Sequence, residues 1–198
     1  MQDVVNVVAT NGPAGTMFLP PIPYIAEVGV EKAVSVYKLV SDPSKQIADF
    51  GYNSAGVCRL TVDALKSGTS VEIRHAEVPM HPPYGTVDGS LYYDNLRGAR
   101  QTDKFTSDGA TVTYTPSLTY HGFRYAEISG YPRDLTAFDI NKVVINSNLK
   151  ANGHLNTSNP LLNKIQESVV RGQLSNLMSI PTDCDQRDER LGWMGDAE

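Results

Sequence analysis

The alternation of apolar and polar residues in short stretches is the feature that most constrains the fold of this chain. The runs 57–62 and 70–75 alternate residue by residue, as a strand with one buried face requires. Asp-Gly pairs at 88–89 and 108–109 supply turn chemistry between such runs. No helical period of useful length separates them, which excludes a fold of alternating strands and helices. The sequence therefore predicts a mainly β protein built on an antiparallel, jelly-roll-like β-sandwich.

The predicted sandwich domain covers residues 24–145. Residues 1–23 are rich in proline and glycine and are interpreted as a linker or the remnant of an upstream domain. Residues 146–198 are predicted to be a linker and the beginning of a helical domain. The strands expected within the sandwich are 34–40, 56–65, 69–78, 111–115, 123–129 and 141–145.

One helix is predicted after the sandwich. Asn159 is a favourable N-cap and Pro160 a favourable first helical residue. An apolar stripe continues to about Met178, where Pro181 ends the helical pattern. A single helix cannot bury its own apolar face. We therefore expect this chain to be truncated inside a helical domain. The stripe consists of Leu162, Ile165, Val169, Val170, Leu174 and Leu177.

Charge and composition exclude several classes of function. The chain has 17 Lys and Arg against 22 Asp and Glu, a net charge of −5, so it lacks the basic surface that nucleic-acid binding requires. No apolar run reaches the about 18 residues of a membrane span, and no signal peptide is recognisable. Cys58 and Cys184 are too few for a disulfide framework and have no zinc-ligand spacing; free buried thiols are expected. The compartment and the oligomeric state stay open.

The acidic C-terminal segment is the candidate for chemistry. If the chain is helical from Asp188 onward, Glu189, Trp193 and Asp196 share one helix face. An aromatic ring beside paired carboxylates suits a sugar site, because a pyranose packs its apolar face on the ring while carboxylates bind hydroxyls. The same spacing fits an amphipathic helix that buries the tryptophan in a core. Both interpretations stay open on spacing alone, since glycines at 192 and 195 weaken the helix.

A longer motif resembles a known family. The residues concerned are Pro181-Thr182-Asp183-Cys184, Gln186-Arg187-Asp188-Glu189-Arg190-Leu191-Gly192-Trp193 and Gly195-Asp196-Ala197. They resemble the motif of the bacterial-type α-L-rhamnosidases, glycoside hydrolase family 78. Upstream segments are similar to the β-sandwich of that family, and the resemblance spans about 20–198. These segments include 49–53, 75–78, 88–92, 96–97 and 120–125.

The resemblance implies a fold and an activity. The fold is the sandwich followed by an (α/α)6 barrel, of which this chain would hold the first helices. The activity is inverting hydrolysis of terminal α-L-rhamnosyl bonds in rhamnose-containing glycosides, without a cofactor. By position, Glu189 matches the general acid. The residues that match those holding the rhamnose are Asp183, Arg187, Trp193 and Asp196.

The general base of that family is a second glutamate far downstream, so the chain alone is expected to be inactive. Two residues depart from the family pattern. Asp185 stands where the family usually has proline, and Glu198 where it usually has glutamine. Asp185 would either favour the protonated form of Glu189 or face solvent.

Other polar residues of the predicted sandwich are interpreted as structural. No second His or Cys lies near His121 at metal-ligand spacing, so no metal site is predicted. Glu72, Arg74 and Glu77 recur with a period near two, which is typical of an exposed or sheet-edge face.

Two other functions remain as alternatives. The main one is a non-catalytic carbohydrate-binding sandwich, and the other is an interaction scaffold without affinity for sugars. The aglycone and the linkage preference are not readable from the sequence.

Overall fold

The computed structural model describes residues 21–197 together with 12, 14–16 and 19, and at 196 and 197 it describes the backbone alone. Most of the segment predicted as a linker, 1–23, therefore lies outside the described residues. The strands are β1 (Ala26–Lys32), β2 (Ser35–Lys38), β3 (Lys45–Val62), β4 (Ser70–Ala76), β5 (Thr102–Thr106), β6 (Val112–Tyr114), β7 (His121–Ser129), β8 (Ile140–Asn146), β9 (Leu177–Met178) and β10 (Ile180–Pro181). The α-helix is α1 (Pro160–Ser175), and short 3-10 turns lie at Asp94–Leu96 and Met194–Ala197.

Eight strands form one curled antiparallel sheet, which confirms the prediction of a mainly β, antiparallel fold. The main order is β1-β8-β3-β7-β4-β5, and both β2 and β6 pair with the long strand β3. The hydrophobic core consists of almost fully buried side chains, most of them on four neighbouring strands, β8, β3, β7 and β4. They include Cys58, Leu60, Ile73, Phe123 and Ile140.

A bulge of several residues interrupts the pairing of β3 with β7. The register shifts between Asp49 and Ser54, because β3 takes five steps there while β7 takes two. Gly51 adopts a φ of 86° inside the bulge, a conformation that costs glycine little. The bulge, residues 50–53, contacts α1 through the Tyr52 ring, over which the Arg171 guanidinium lies.

Three parts of the sheet lie outside the strands expected from the sequence: β1, the first half of β3, and β5. β3 begins at Lys45 rather than at residue 56, because the bulge interrupts the alternation that marks a half-buried strand. β5, with the sequence Thr-Asp-Lys-Phe-Thr, has a single large apolar residue and lies at the edge of the sheet. Charged edge strands lack the apolar signal on which sequence interpretation depends.

The helix begins where the sequence predicts. The Asn159 side chain accepts a hydrogen bond from the Leu161 amide at 2.9 Å, and Pro160 is the first helical residue. The predicted end near Met178 is wrong, since α1 ends at Ser175. Residues 177–178 instead pair with 180–181 in a two-stranded hairpin.

The C-terminal half of α1 docks on the bulge of β3. The Ser175 hydroxyl accepts a hydrogen bond from the Ala55 amide at 3.2 Å. The Arg171 guanidinium lies over the Tyr52 ring, 3.9 Å from its centroid. The apolar stripe of the helix stays exposed in the described part of the chain, as the sequence predicted. Its exposed members include Leu162, Ile165 and Val169.

Candidate active site

Residues 182–193, here called the site loop, follow the β9–β10 hairpin. The predicted helix from Asp188 onward is wrong, because the loop has bends and no regular secondary structure through Trp193. Arg190 adopts a φ of 46°, in the left-handed region that a right-handed helix cannot contain. A short 3-10 turn follows only at Met194–Ala197. The side chain of Asp196, predicted to share a helix face with the acid, lies outside the described residues.

The loop is closed by bonds between its two ends. The Asp183 amide donates to the Leu191 carbonyl at 2.9 Å. The Leu191 amide in turn donates to Asp183 Oδ1 at 2.9 Å. These two hydrogen bonds close residues 184–190 into a loop. They also fix the position of the Asp183 carboxylate where the loop closes.

Four of the predicted site residues meet within the loop. Glu189 Oε2 accepts hydrogen bonds from Arg187 Nε at 3.0 Å and from Arg97 Nη1 at 3.2 Å. Glu189 Oε1 accepts one from Trp193 Nε1 at 3.3 Å. Arg187 Nη2 also donates to Asp183 Oδ2 at 3.2 Å. The tryptophan and the acid are therefore neighbours, as expected, but an irregular loop brings them together instead of a helix.

The sheet anchors the site loop. Arg190 Nη2 donates to the Tyr120 carbonyl at 2.9 Å, and its guanidinium lies 4.0 Å from the centroid of the Tyr120 ring. The Gly122 amide donates to the Asp185 carbonyl at 3.0 Å. Tyr120 directly precedes β7 and Gly122 is its second residue, so the start of this strand sets where the loop lies.

Asp185 is buried, with 5% of its surface exposed, which excludes the alternative in which it faces solvent. Its Oδ2 atom has no hydrogen-bond partner in the described structure. Burial, together with the negative charge of Glu77, raises the pKa of Asp185 to about 6. The carboxyl is held protonated well above the ordinary aspartate range.

Glu77 and Arg97 take part in the site although the sequence interpretation gave neither a role there. Glu77 accepts hydrogen bonds from the side-chain amides of Asn53, at 2.8 Å, and Asn95, at 2.7 Å. Burial raises the pKa of Glu77 in spite of those bonds. The period-two pattern suggested an exposed or sheet-edge residue, but Glu77 lies just beyond the end of β4, where the alternation no longer determines its orientation.

A cleft of about 440 Å³ runs along the site loop, the bulge of β3 and the end of α1. A larger cavity of about 760 Å³ lies between α1 and the β1–β8 side of the sheet, and none of the predicted site residues lines it. We assign the site to the smaller cleft, because three charged residues of the motif, Asp183, Asp185 and Arg187, line it. Glu189 and Trp193 are not among its lining residues, but Glu189 accepts a hydrogen bond from Arg187. The walls of the cleft include Asn53, Glu77, Arg171, Asp183, Asp185 and Arg187.

Two groups of metal-ligating side chains lie in the described part of the chain. One consists of Asp183, Cys184 and Glu189, but Arg187 already donates to both carboxylates. The guanidinium therefore supplies the positive charge that a metal would bring. The other group belongs to the sheet: His75, Asp103 and His121.

None of the helices in the described residues is long and apolar enough to cross a membrane.

Two protein-family models match this chain, one over the sheet and the other over the part that contains α1 and the site loop. Residues 40–146 match the bacterial α-L-rhamnosidase concanavalin-like domain, and residues 150–198 match the bacterial α-L-rhamnosidase six-hairpin glycosidase domain. The chain belongs to the bacterial α-L-rhamnosidase family. The resemblance read from the motif of the site loop is thereby confirmed.

Curated relatives of this family member are named α-L-rhamnosidases. One from Streptomyces avermitilis is 40% identical over 155 residues, which is 78% of this chain and 14% of the relative. One from Alteromonas sp. (strain LOR) is 38% identical over 199 residues, which is 97% of this chain and 20% of the relative. The chain thus spans no more than a fifth of the length of these curated relatives.

Solved α-L-rhamnosidase structures have the same fold over most of this chain. The enzyme from Dictyoglumus thermophilum aligns with a TM-score of 0.82 and 43% identity, covering 89% of this chain and 19% of that one. The Streptomyces avermitilis enzyme complexed with L-rhamnose aligns with a TM-score of 0.80 and 36% identity. The alignment covers 88% of this chain and 16% of that enzyme's chain.

Proposed function

We propose that this chain supplies the acid-bearing half of an α-L-rhamnosidase active site, and that the reaction is inverting hydrolysis of terminal α-L-rhamnosyl bonds. The observation that carries the proposal is the meeting of Glu189, Arg187, Asp183 and Trp193 on one loop, in a chain of this family. The relative complexed with L-rhamnose supports rhamnose as the sugar.

Glu189 is the proposed general acid. Its Oε2 atom receives both guanidinium bonds, while Oε1 receives only the indole N–H. Oε1 therefore keeps one lone pair free and is the oxygen that would carry the proton to the leaving group. The side chain is 30% exposed, so the substrate can reach it.

The other residues of the motif are proposed to hold the sugar. The Trp193 ring is exposed and can pack against the apolar face of a rhamnose ring. Asp183 and Arg187 present charged atoms to the cleft, where hydroxyl groups would bind. By the resemblance, Asp196 belongs to the same set.

A second carboxylate must activate the water. In an inverting glycosidase it lies roughly 6.5–9.5 Å from the acid, on the opposite face of the sugar. We assign this base to the part of the six-hairpin domain outside this chain, within the (α/α)6 barrel that the resemblance implies. The sheet and the site loop would then form one wall of a site that the barrel completes.

Hydrolysis of an aryl α-L-rhamnoside tests the proposal. The 198-residue chain alone should show no turnover, because it lacks the base. A chimera that replaces the matching part of the Dictyoglumus thermophilum enzyme with residues 40–198 of this chain should be active. Turnover by the chain alone near the ordinary enzymatic rate of about 10 s⁻¹ would place the base inside it.

A titration with L-rhamnose separates the proposal from a carbohydrate-binding module. An inactive but folded chimera, together with rhamnose binding by the chain alone, would favour the non-catalytic alternative. An active chimera excludes it.

A further inference from the structure

Arg97 contacts the proposed acid from a turn of the sheet domain and not from the site loop. The turn covers Asp94–Leu96, and Arg97 is its C-terminal cap. The Arg97 amide donates to the Asp94 carbonyl at 3.1 Å, and its Nη1 atom donates to Glu189 Oε2 at 3.2 Å. Arg97 adopts a φ of 56°, a costly conformation for a residue with a Cβ. The turn therefore holds Arg97 in a strained backbone conformation from which its side chain reaches the acid.

The half-buried carboxylate of Glu77 links this turn to the bulge of β3. Glu77 Oε1 accepts a hydrogen bond from the side-chain amide of Asn53, which belongs to the bulge. Glu77 Oε2 accepts one from the side-chain amide of Asn95, which belongs to the turn. Leu96, the next residue, is 2% exposed and anchors the turn in the core. The turn is thus fixed by a buried apolar side chain and by a carboxylate, and the backbone of Arg97 is fixed with it.

The two oxygens of Glu189 have different partners. Oε2 accepts from Arg97 and from Arg187, whereas Oε1 accepts from the Trp193 indole. Arg187 belongs to the same loop as the acid and is shared with Asp183. In the described part of the chain, Arg97 is the donor to Glu189 that comes from outside this loop. Since a carboxylate oxygen has two lone pairs, the two guanidinium groups together occupy Oε2 and leave the remaining lone pair on Oε1.

We propose that Arg97 is a positioning residue for the rhamnosidase reaction, which occupies Oε2 together with Arg187 and so confines the proton of Glu189 to Oε1. In the reaction, Oε1 gives this proton to the glycosidic oxygen, which keeps the electron pair of the breaking bond to the sugar. Water, deprotonated by the downstream base, forms the new bond to that carbon. The inference rests on the proposed function, because Arg97 acts through the general acid. The sheet domain would thereby take part in the proton transfer.

Kinetics of Arg97→Ala in the active chimera test this role. The Arg97 side chain is 70% exposed, so water screens its bond to the acid, and kcat on a rhamnoside with a poor leaving group should fall roughly 5–10-fold. KM should stay unchanged, and kcat on a rhamnoside with an activated aryl leaving group should fall less. Arg97→Lys should restore most of the loss, because a single nitrogen of the guanidinium contacts Glu189. A raised KM with unchanged kcat, or equal losses on both substrates, would overturn the proposal.

A double-mutant cycle tests whether Glu77 acts through Arg97. Glu77→Ala should lower kcat on the poor leaving group by a similar factor, and Glu77→Ala/Arg97→Ala should lower it no further. Asn95→Ala breaks the same link from the side of the turn, and it takes the place of Glu77→Ala if that variant does not fold. Losses that multiply in the double variant would show that the link does not position Arg97.

Two further variants of the chimera complete this test. Glu72→Gln, an exposed position on β4, should keep wild-type kinetics on both substrates. Glu189→Gln separates this inference from the proposed function. A loss that depends on the leaving group in Glu189→Gln but not in Arg97→Ala would overturn the role of Arg97 alone, whereas no such loss in Glu189→Gln would overturn both.

The 198-residue chain reports the same contact without turnover. Trp193, the only tryptophan, donates to Glu189, so release of the acid in Arg97→Ala should shift the tryptophan emission maximum. Arg97→Lys and Glu72→Gln should keep the wild-type spectrum. An unchanged spectrum in Arg97→Ala would show that Arg97 does not hold the acid and would overturn the proposal.

Discussion

Arg187 determines how the two carboxylates of the site loop are placed. Its guanidinium donates to Glu189 and to Asp183 at the same time, which leaves one oxygen of the proposed acid free of guanidinium contacts. The sequence showed which residue types belong together in this motif. It did not show Arg97 and Glu77, because their contacts to the site come from distant parts of the chain and no local periodicity encodes them.

Gly122 is predicted to be intolerant of a side chain. A Cβ at this position would lie 2.1–2.6 Å from the carboxyl atoms of Asp185, which is itself buried. Gly122→Ala should therefore displace the site loop and lower the free energy of unfolding by about 1–3 kcal/mol. Urea denaturation measures the loss, and the fluorescence of Trp193, the only tryptophan in the chain, reports the displacement.

Gly29→Ala is the matched control, because this strand glycine has open space around its Cβ position. The two variants should differ clearly in stability and in tryptophan emission. Equal behaviour would mean that the packing of Asp185 on β7 does not position the loop.

Asp185 is predicted to make stability depend on pH. Its pKa is raised from 3.8 to about 6 by burial and by Glu77, while Arg190 and Lys142 oppose the shift. Between those values the folded chain binds more protons than the unfolded chain, so stability falls as the pH rises through this window. In wild type this titration should lower the free energy of unfolding by about 2–3 kcal/mol across the window, and Asp185→Asn should abolish that decrease.

Denaturant unfolding between pH 4 and pH 7.5 measures this contribution. Asp188→Asn, an exposed position of the same loop, should leave the wild-type slope intact. If Asp185→Asn also retains that slope, the buried carboxyl is not the group that titrates.

At the scale of elements, the sequence predictions succeed where a periodic pattern of apolar residues lies on a regular strand or helix with one buried face. Strands such as β4 alternate because one face of each is buried, and α1 begins at its N-cap. The predictions fail where the backbone is irregular. The bulge interrupts the alternation in the first half of β3, and the charged strand β5 has no apolar face that a pattern could mark. Arg190 has a left-handed backbone conformation, so the segment expected to be helical is a loop.

The N-cap of α1 provides a prediction at this scale. Asn159→Ala removes the acceptor of the Leu161 amide and should lower the free energy of unfolding by about 1 kcal/mol. Helical circular dichroism during urea titration measures the change. Ser158→Ala, one position outside the cap, serves as the control, and an equal loss in both variants would show that the capping bond does not stabilise the helix.

At the scale of the whole molecule, the sheet is a part of the site and more than a support for it. Tyr120 and Gly122 hold the loop, and Arg97 contacts the proposed acid from a position 92 residues away in sequence. A contact of that range cannot be read from the sequence, because it depends on how the curled sheet brings its loops together. The family motif pointed to Glu189 as the proposed acid, and the structure showed which residues surround it.

The most direct test of the account compares leaving groups in the chimera that carries Glu189→Gln. A general acid matters when the departing oxygen needs a proton, so kcat/KM should fall roughly 10²–10⁴-fold on a rhamnoside with a poor leaving group. It should fall far less on one with an activated aryl leaving group. Glu72→Gln, an exposed position on β4, should change neither value. Equal losses on both substrates, or wild-type turnover on the poor leaving group, would contradict the assignment of Glu189 as the proton donor.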